Sequence, residues 1–226
     1  MLSHIGLITD GNRRYAQKIG ADIFEAYHAG FRKAEDVFDW VLGVPTIKVA
    51  TIYALSTENF RKRNENEMKV LTELFDYYFR KLGDDKKIHN SKVHVKVMGD
   101  TAALPALVPA IRYLEDQTGD YSNYKVNIAL NYGGRDEILG AIRKLEEKGI
   151  NPSTLTEEQF NKLLLEPNNL DLLIRTGGMH RLSNFLSWQS AYSELYFTDT
   201  LWPELDKKEF DKAVEFYNKT AKNFGK

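Results

Sequence analysis

The segment HIGLITDGNRRYA, His4 to Ala16, runs an apolar stretch into an acid, a glycine, an amide and two guanidiniums. Two chemistries fit that composition. Asp-Gly is a turn signal, and Asp10 or Asn12 can cap a following helix while Arg13 and Arg14 lie in solvent. Equally, the Asp10 carboxylate can ligate Mg2+ beside amides and arginines that hold a diphosphate. A second cluster, IRTGGMHRLSNFLSWQSAY over 174–192, gathers Arg175, His180 and Arg181 around Gly177-Gly178, with Ser183 shortly after. The glycines let backbone approach an anion closely, and arginine forks match phosphate oxygens, so this cluster points to an anion site. A third, STENFRKRNENE over 56–67, offers Ser56 and Asn59 as hydrogen-bonding groups, while its run Arg61-Lys62-Arg63 reads as a solvated loop.

Composition narrows the chemistry further. Lys+Arg 31 against Asp+Glu 32 gives a net charge of -1, so no global field recruits nucleic acid or anionic membrane and any anion site is local. With Cys 0 there are no disulfides, thiolate zinc sites or thiol nucleophiles, in keeping with a reducing compartment. P-loop, G-x-S-x-G and G-x-G-x-x-G signatures are missing, and the histidines show no H-E-x-x-H spacing. No window approaches the roughly 18 apolar residues of a membrane span, and charge arrives too early for a secretory signal. The expectation is a cytoplasmic protein with one domain over 1–226.

The elements that position these clusters follow from periodicity. Apolar runs around 5–9, 46–55, 93–98, 125–131, 171–175 and 194–198 read as strands. Helical spacing fills 24–42, 65–82, 105–117, 135–148, 156–165 and 208–221, most clearly at Met68, Leu71, Phe75, Tyr78 and Leu82. Strands alternating with helices predict an α/β fold, about six mostly parallel strands flanked by helices. Asp10-Gly11-Asn12, Ser56–Asn59, Gly99-Asp100, Asn131–Arg135 and Arg175–Gly178 all follow strand ends. In an open parallel sheet those ends share one edge, where ligands bind.

Taken together, the segments resemble the cis-prenyltransferases, the undecaprenyl and dehydrodolichyl diphosphate synthase family. HIGLITDGNRRYA is similar to its H-I-x-x-I-x-D-G-N-x-R-W/Y-A, and TIYALSTENFRK to its L-T-x-Y-A-F-S-x-E-N-W-x-R. VKVMGD, NIALNYGGRDEI and DLLIRTGGMHRLSNFLSWQSAYSELYFTDTLWPE follow in the family's order, and the N-R-R-Y variant is nearer archaeal and eukaryotic members. The resemblance implies an apolar tunnel between sheet and helices, a homodimer, and Mg2+-dependent condensation of an allylic prenyl diphosphate with isopentenyl diphosphate. It implies Asp10 and Glu194 as metal ligands, Glu194 from across the dimer. Gly11, Asn12 and Arg14 would hold the allylic diphosphate, with Arg13 in the same set at a variable place. Arg175, Arg181 and Ser183 would bind the isopentenyl diphosphate. Ser56, Asn59 and Phe60 would orient the reacting ends, and a lipid product implies peripheral membrane contact without a spanning segment.

The sequence departs from the family's pattern at several points. Where the family has a histidine after the D-G-N segment, Tyr27 stands, with His28 one residue on as a substitute candidate, and the upstream arginine is Ile23. Met179 replaces a glutamate, Lys62 replaces an arginine, and the terminal R-x-G reads Asn223-Phe224-Gly225. Two reactions stay open: ordinary chain elongation, or branched condensation with dimethylallyl diphosphate as second substrate. A noncatalytic prenyl-diphosphate-binding subunit of a heteromeric synthase is a third possibility. For the tunnel, Ala54, Phe75, Tyr78 and Phe79 are the expected lining. A bulky Tyr78 would cap it and favour short-to-medium products, unless these aromatics only pack the core.

Overall fold

The computed structural model describes residues 1–220. Strands β1 (His4–Ile8), β2 (Val49–Ser56), β3 (Val93–Met98), β4 (Tyr124–Tyr132), β5 (Leu172–Arg175) and β6 (Glu194–Phe197) make one sheet, ordered β3-β4-β2-β1-β5-β6. Among the described residues every pairing is parallel, so the mostly parallel sheet expected from the alternation is present. β1 is fully buried, and its side chains divide between two cores. Ile5 and Leu7 pack with Val37, Val41, Phe210 and Ala213 on one face, and Ile8 packs with Tyr53, Leu173 and Phe185 on the other. Burial on both faces is why these strands read as continuous apolar runs.

Helices α1 (Asn12–Ile19), α2 (Ile23–Leu42), α3 (Thr57–Lys62), α4 (Glu65–Gly83), α5 (Lys86–Ser91), α6 (Val108–Thr118), α7 (Gly134–Glu147), α8 (Glu157–Asn161) and α9 (Lys207–Lys219) connect or flank the strands. α2, α4 and α6 cover one face of the sheet through Phe75, Phe79, Ala110, Leu114 and their neighbours. α7 and α8 form a separate cluster of Ala141, Leu145, Phe160 and Leu164. Several ends have evident causes. Asp22, Ser56, Asn64 and Asp206 cap α2, α3, α4 and α9 by accepting from backbone N–H groups, which satisfies donors a helix start leaves open. Thr156 and Gln159 form a capping box on α8. That helix stops at Asn161 rather than running to 165, and the chain turns there as the Leu164 N–H meets the Asn161 carbonyl at 3.1 Å. The expected helix over 105–117 opens as a 3-10 turn, Pro105–Leu107, before α6.

The sheet order sets the position of the site. From β1 the chain winds to β2 on one side, and it returns as β5 on the other. Asp10 follows β1 and Arg175 ends β5, so both emerge on the carboxyl edge where the winding changes direction. That crevice is where open α/β sheets accept ligands. Beside it the β2–β4 register shifts twice between Tyr53 and Ser56, and Asn131 at the end of β4 adopts φ 47.

Candidate active site

The segment after β1 is not capped by a side chain. Gly11 occupies the N-cap of α1 with φ 124, and neither Asp10 nor Asn12 accepts a capping hydrogen bond. A Cβ at Gly11 would stand 3.0 Å from the Leu201 backbone, and the positive φ itself favours glycine. The capped-turn reading of Asp10-Gly11-Asn12 therefore fails: the turn is made by glycine geometry, and the Asp10 carboxylate is directed elsewhere.

It is directed at two arginines. Arg14 Nη2 donates to Asp10 Oδ1 at 3.0 Å, and Arg175 Nη2 donates to Oδ2 at 2.9 Å. Arg14 Nη1 also donates to the Gly177 carbonyl at 2.6 Å. Arg175 Nη1 reaches the Arg181 carbonyl at 2.6 Å and Ser183 Oγ at 2.7 Å. One carboxylate thus ties α1, β5 and the 177–183 loop together. The Arg175 side chain is only 4% exposed, and its Nε is buried without a partner. Gly177 and Gly178 have φ 82 and φ 72, and a Cβ on Gly177 would come within 2.5 Å of Arg14 Nη2. Ser183, Asn184 and Leu186 also have positive φ. Such backbone costs of order 1–3 kcal/mol per residue and concentrates at functional sites.

These groups open onto a cavity of about 810 Å³. Its polar end holds Asp10, Gly11, Asn12, Arg13, Arg14, Ser56, Asn59, Arg175, Arg181 and Ser183, nearly all the polar residues expected from the sequence. Its apolar end is walled by Ile52, Ala54, Leu71 and Phe75, with Phe31 between. Ser56 has a second duty, accepting the Asn59 N–H at 3.0 Å as the cap of α3.

Other expected residues lie apart from this cavity. His28 faces Phe24 and Tyr78, with ring centroids 6.1 Å and 5.9 Å away. The cavity wall at that turn of α2 is Tyr27. Phe60 borders a smaller cavity of about 340 Å³ with Met68, Leu104 and Leu107. Tyr78 stacks behind Phe31 at 4.6 Å, and Phe79 lies against Phe75 at 5.5 Å; neither lines the main cavity. Glu194 opens β6 opposite Leu172, whereas Phe197 stands opposite Arg175. It is thus three residues, about 10 Å, from the carboxyl edge of its own sheet. Asn223-Phe224-Gly225 lies outside the described residues.

The sequence reading missed Phe31, which closes the apolar end, and Glu67, which anchors a polar cluster in the wall. Arg13 Nε and Nη2 donate to the two Glu67 oxygens at 3.0 and 2.6 Å. Tyr27 donates its hydroxyl to Glu67 Oε1. Burial pushes the Glu67 carboxyl up, but Arg13, Tyr27 and the charge of Arg63 together hold it below its usual range. Burial pushes the Tyr27 hydroxyl up to about 12, against the pull of Arg63.

Three comparisons bear on this arrangement. The undecaprenyl diphosphate synthase family model matches residues 8–225. The chain belongs to this family. A relative from Thermoplasma acidophilum is 43% identical over 230 residues, covering 99% of this chain and 88% of the relative. That protein is a tritrans,polycis-undecaprenyl-diphosphate synthase, geranylgeranyl-diphosphate specific. An isoprenyl transferase of Aquifex aeolicus is 40% identical, with 99% and 95% coverage. The crystal structure of lavandulyl diphosphate synthase from Lavandula x intermedia in complex with dimethylallyl diphosphate superposes with TM-score 0.90 at 29% identity, covering 99% and 98%. As a member of this family of prenyltransferases, the chain has the fold expected from its motifs. Among its described residues no helix is long and apolar enough to cross a membrane.

Proposed function

We propose that this chain is a cis-prenyl diphosphate synthase that joins an allylic prenyl diphosphate to isopentenyl diphosphate and releases diphosphate. The observation that carries the reading is one cavity with two chemistries: an end lined by Asp10, Arg14, Arg175 and Arg181, and an end lined by Ile52, Ala54, Leu71 and Phe75. A molecule with an anionic head and a hydrocarbon tail matches both ends at once. The cavity volume of about 810 Å³ falls within the roughly 300–1,000 Å³ of sites for small ligands, and Phe31 in its lining meets Phe75 edge-on and stacks on Tyr78 behind it. Both features support a short-to-medium product.

The donor set suits Mg2+ that shares substrate oxygens. Among the described residues no three His, Cys, Asp or Glu side chains cluster as a complete metal cage. Mg2+ at phosphate sites commonly takes one or two carboxylates plus phosphate oxygens and water, and Asp10 supplies that carboxylate. When bound, the ion would neutralise charge on the leaving diphosphate. The chain's own residues account for the remaining steps. Arg14, beside Asp10, suits the allylic diphosphate, where negative charge grows as the C–O bond breaks, and Arg175 and Arg181 suit the diphosphate of the isopentenyl substrate. Ser56 and Asn59 border the carbon end. The alkene of isopentenyl diphosphate supplies the electrons of the new C–C bond, and loss of a proton to a diphosphate oxygen restores a double bond. The chain grows by one five-carbon unit, and diphosphate and a proton leave.

A homodimer fits the placement of Glu194, whose own sheet holds it away from Asp10; its role as a metal ligand rests on a second copy. The cysteine-free composition agrees with action in the cytoplasm, with membrane contact through the lipid product. A second reading, dimethylallyl diphosphate as the second substrate to give a branched product, is favoured by the superposition on lavandulyl diphosphate synthase. A noncatalytic subunit is disfavoured by the convergence of Asp10, Arg14 and Arg175.

The test is incubation of the purified chain with Mg2+, radiolabelled isopentenyl diphosphate and allylic primers of graded length, with dimethylallyl diphosphate alone in parallel. Label incorporated into longer linear products supports elongation; a branched product from dimethylallyl diphosphate alone supports the second reading. No product under any condition overturns both. Asp10→Ala is expected to reduce turnover to background, and full turnover would overturn the metal assignment.

A further inference from the structure

Gly133 gives α7 no side-chain cap. The cap comes from the loop after β5 instead. Asn184 Oδ1 accepts the Arg135 N–H at 2.9 Å, and the Asn184 carbonyl accepts the Gly134 N–H at 2.7 Å. Both are donors of the kind a helix start leaves open. In the other direction, Asn184 Nδ2 donates to Glu58 Oε1 at 3.0 Å, and Glu58 lies in the first turn of α3. A donor on one side and an acceptor on the other fix which way the amide points, since the reverse orientation would set donor against donor. Burial pushes the Glu58 carboxyl up, but its own N–H and hydrogen bonds from Asn184, Ser56 and Thr57 hold it below its usual range. It therefore meets the amide as a carboxylate. Asn184 has φ 64, and its neighbours are tied down separately. The Tyr53 hydroxyl donates between the carbonyls of Tyr132 and Ser183 at 3.1 and 3.2 Å, and Phe185 stacks on the Tyr53 ring at 4.7 Å.

Resting on the proposed synthase reading, the geometry points to Asn184 as a positioning residue that couples the isopentenyl diphosphate loop to α3 through Glu58. Ser183, one residue before Asn184, receives Arg175 Nη1 at 2.7 Å and lines the polar end of the cavity. Ser56 and Asn59, which flank Glu58 in sequence, border the carbon end. α3 spans six residues, and a helix that short is not held by its own hydrogen bonds. Its first turn is held from within by the Ser56 cap at 3.0 Å and from outside by Asn184. Coupling between sites travels through packed and hydrogen-bonded side chains, and here the span is one amide long. A diphosphate that orders the loop at Arg175 and Ser183 therefore also orders α3, and brings Ser56 and Asn59 to the alkene it carries. The strut rests on a firm base, because the loop lies directly on α7: a Cβ on Gly134 would come within 2.6 Å of Ser187 Oγ. Asn184 touches neither substrate in this scheme.

The experiment compares wild type with Asn184→Asp, Glu58→Gln and the double variant. Asn184→Asp keeps an oxygen for the Arg135 N–H and adds negative charge at a helix N-terminus, which favours the fold. It removes the donor to Glu58 and sets two carboxylates together. It is expected to lower kcat about 5- to 30-fold, to change each substrate KM less than about threefold, and to leave Tm within about 4 °C. Glu58→Gln keeps the acceptor and is expected to stay within about threefold of wild type. In the double variant the new glutamine amide can donate to the new carboxylate, so the bond re-forms with donor and acceptor exchanged. Its kcat is expected to return to within about threefold of wild type, because the two positions are coupled. Wild-type kcat in Asn184→Asp, a loss the double variant does not repair, or a raised isopentenyl KM at unchanged kcat would each overturn the proposal. Amide hydrogen exchange reads the strut without turnover. Saturating inorganic diphosphate is expected to slow exchange of the α3 amides about fivefold or more in wild type, to leave them unchanged in Asn184→Asp, and to slow them again in the double variant. Absent turnover in wild type with this exchange pattern would overturn the reaction and support the strut. Exchange in α3 that ignores diphosphate in wild type, or responds equally in Asn184→Asp, would overturn the strut.

Discussion

Replacing Arg14 by Lys keeps a positive charge on α1 and removes the fork that joins three parts of the site. Arg14 Nη1 serves the Gly177 carbonyl at 2.6 Å and Nη2 serves Asp10 Oδ1 at 3.0 Å. A lysine ammonium is a single compact donor group, and from one position it is expected to keep one of these acceptors. A hydrogen bond to a charged group contributes about 1.5–3 kcal/mol. Because the Arg14 side chain is 42% exposed, solvent screening reduces the expected loss to about 1–2 kcal/mol. At 1.36 kcal/mol per decade, kcat/KM should fall about 5- to 30-fold. Folding should change little, since partly exposed pairs contribute about 0–1 kcal/mol, or less than about 4 °C in Tm for a chain of this size. Initial rates by extraction of labelled product, beside a thermal melt, give both quantities. Wild-type kcat/KM would refute the reasoning. So would a Tm drop of about 10 °C or more, because the activity loss would then follow from unfolding.

Phe31→Ala should lengthen the product distribution seen by mass spectrometry, and Tyr78→Ala, one ring further back, should lengthen it less; the reverse order would place the cap at Tyr78. Gly177→Ala should destabilise the protein by about 1–3 kcal/mol, read as a lower urea midpoint, because its φ of 82 and the 2.5 Å approach of Arg14 Nη2 leave a Cβ no room. Glu166 predicts a pH dependence of stability. Burial raises its carboxyl, but Lys125 at 2.8 Å, the Asn168 N–H and the charge of His4 more than offset this, so its folded pKa lies below the unfolded value. Its contribution is full above the unfolded value of about 4.3 and is lost as pH falls through the folded value. Glu166→Gln should flatten the acid limb of a urea-midpoint against pH curve; an unchanged slope would count against the assignment.

What could be read from sequence depended on whether the cause was local. β2 and β4 were legible because TIKVATIYAL and KVNIALNY are apolar runs with nothing else to become. The carboxyl-edge argument brought Asp10 and Arg175 together, and the structure joins them at 2.9 Å. α3 and α5 span six residues each, too short for periodicity to register. The α4 stripe identified a buried face but not depth along it, so Tyr78 and Phe79 seemed to line a cavity that Phe31 separates from Tyr78. Successive helical residues point about 100° apart, which is why Tyr27 enters the wall and His28 does not. Glu67 was invisible for a different reason: its partner Arg13 is 54 positions away, and its role exists only once α1 and α4 are side by side.

The pairing of Asp10 with Arg175 also orders events in the life of the chain. The two residues are 165 positions apart, and β1 remains without its β5 neighbour until that second segment has been made. At about 5–20 residues per second of synthesis, some 8–33 s separate their appearance at the ribosome, before the delay of the exit tunnel. During that interval Asp10 and Arg14 can meet across one helical turn, but the paired guanidiniums that would grip a diphosphate do not yet exist. The nascent chain therefore passes most of its synthesis with an open β1 edge and no completed site, and acquires both the missing strand and Arg175 together.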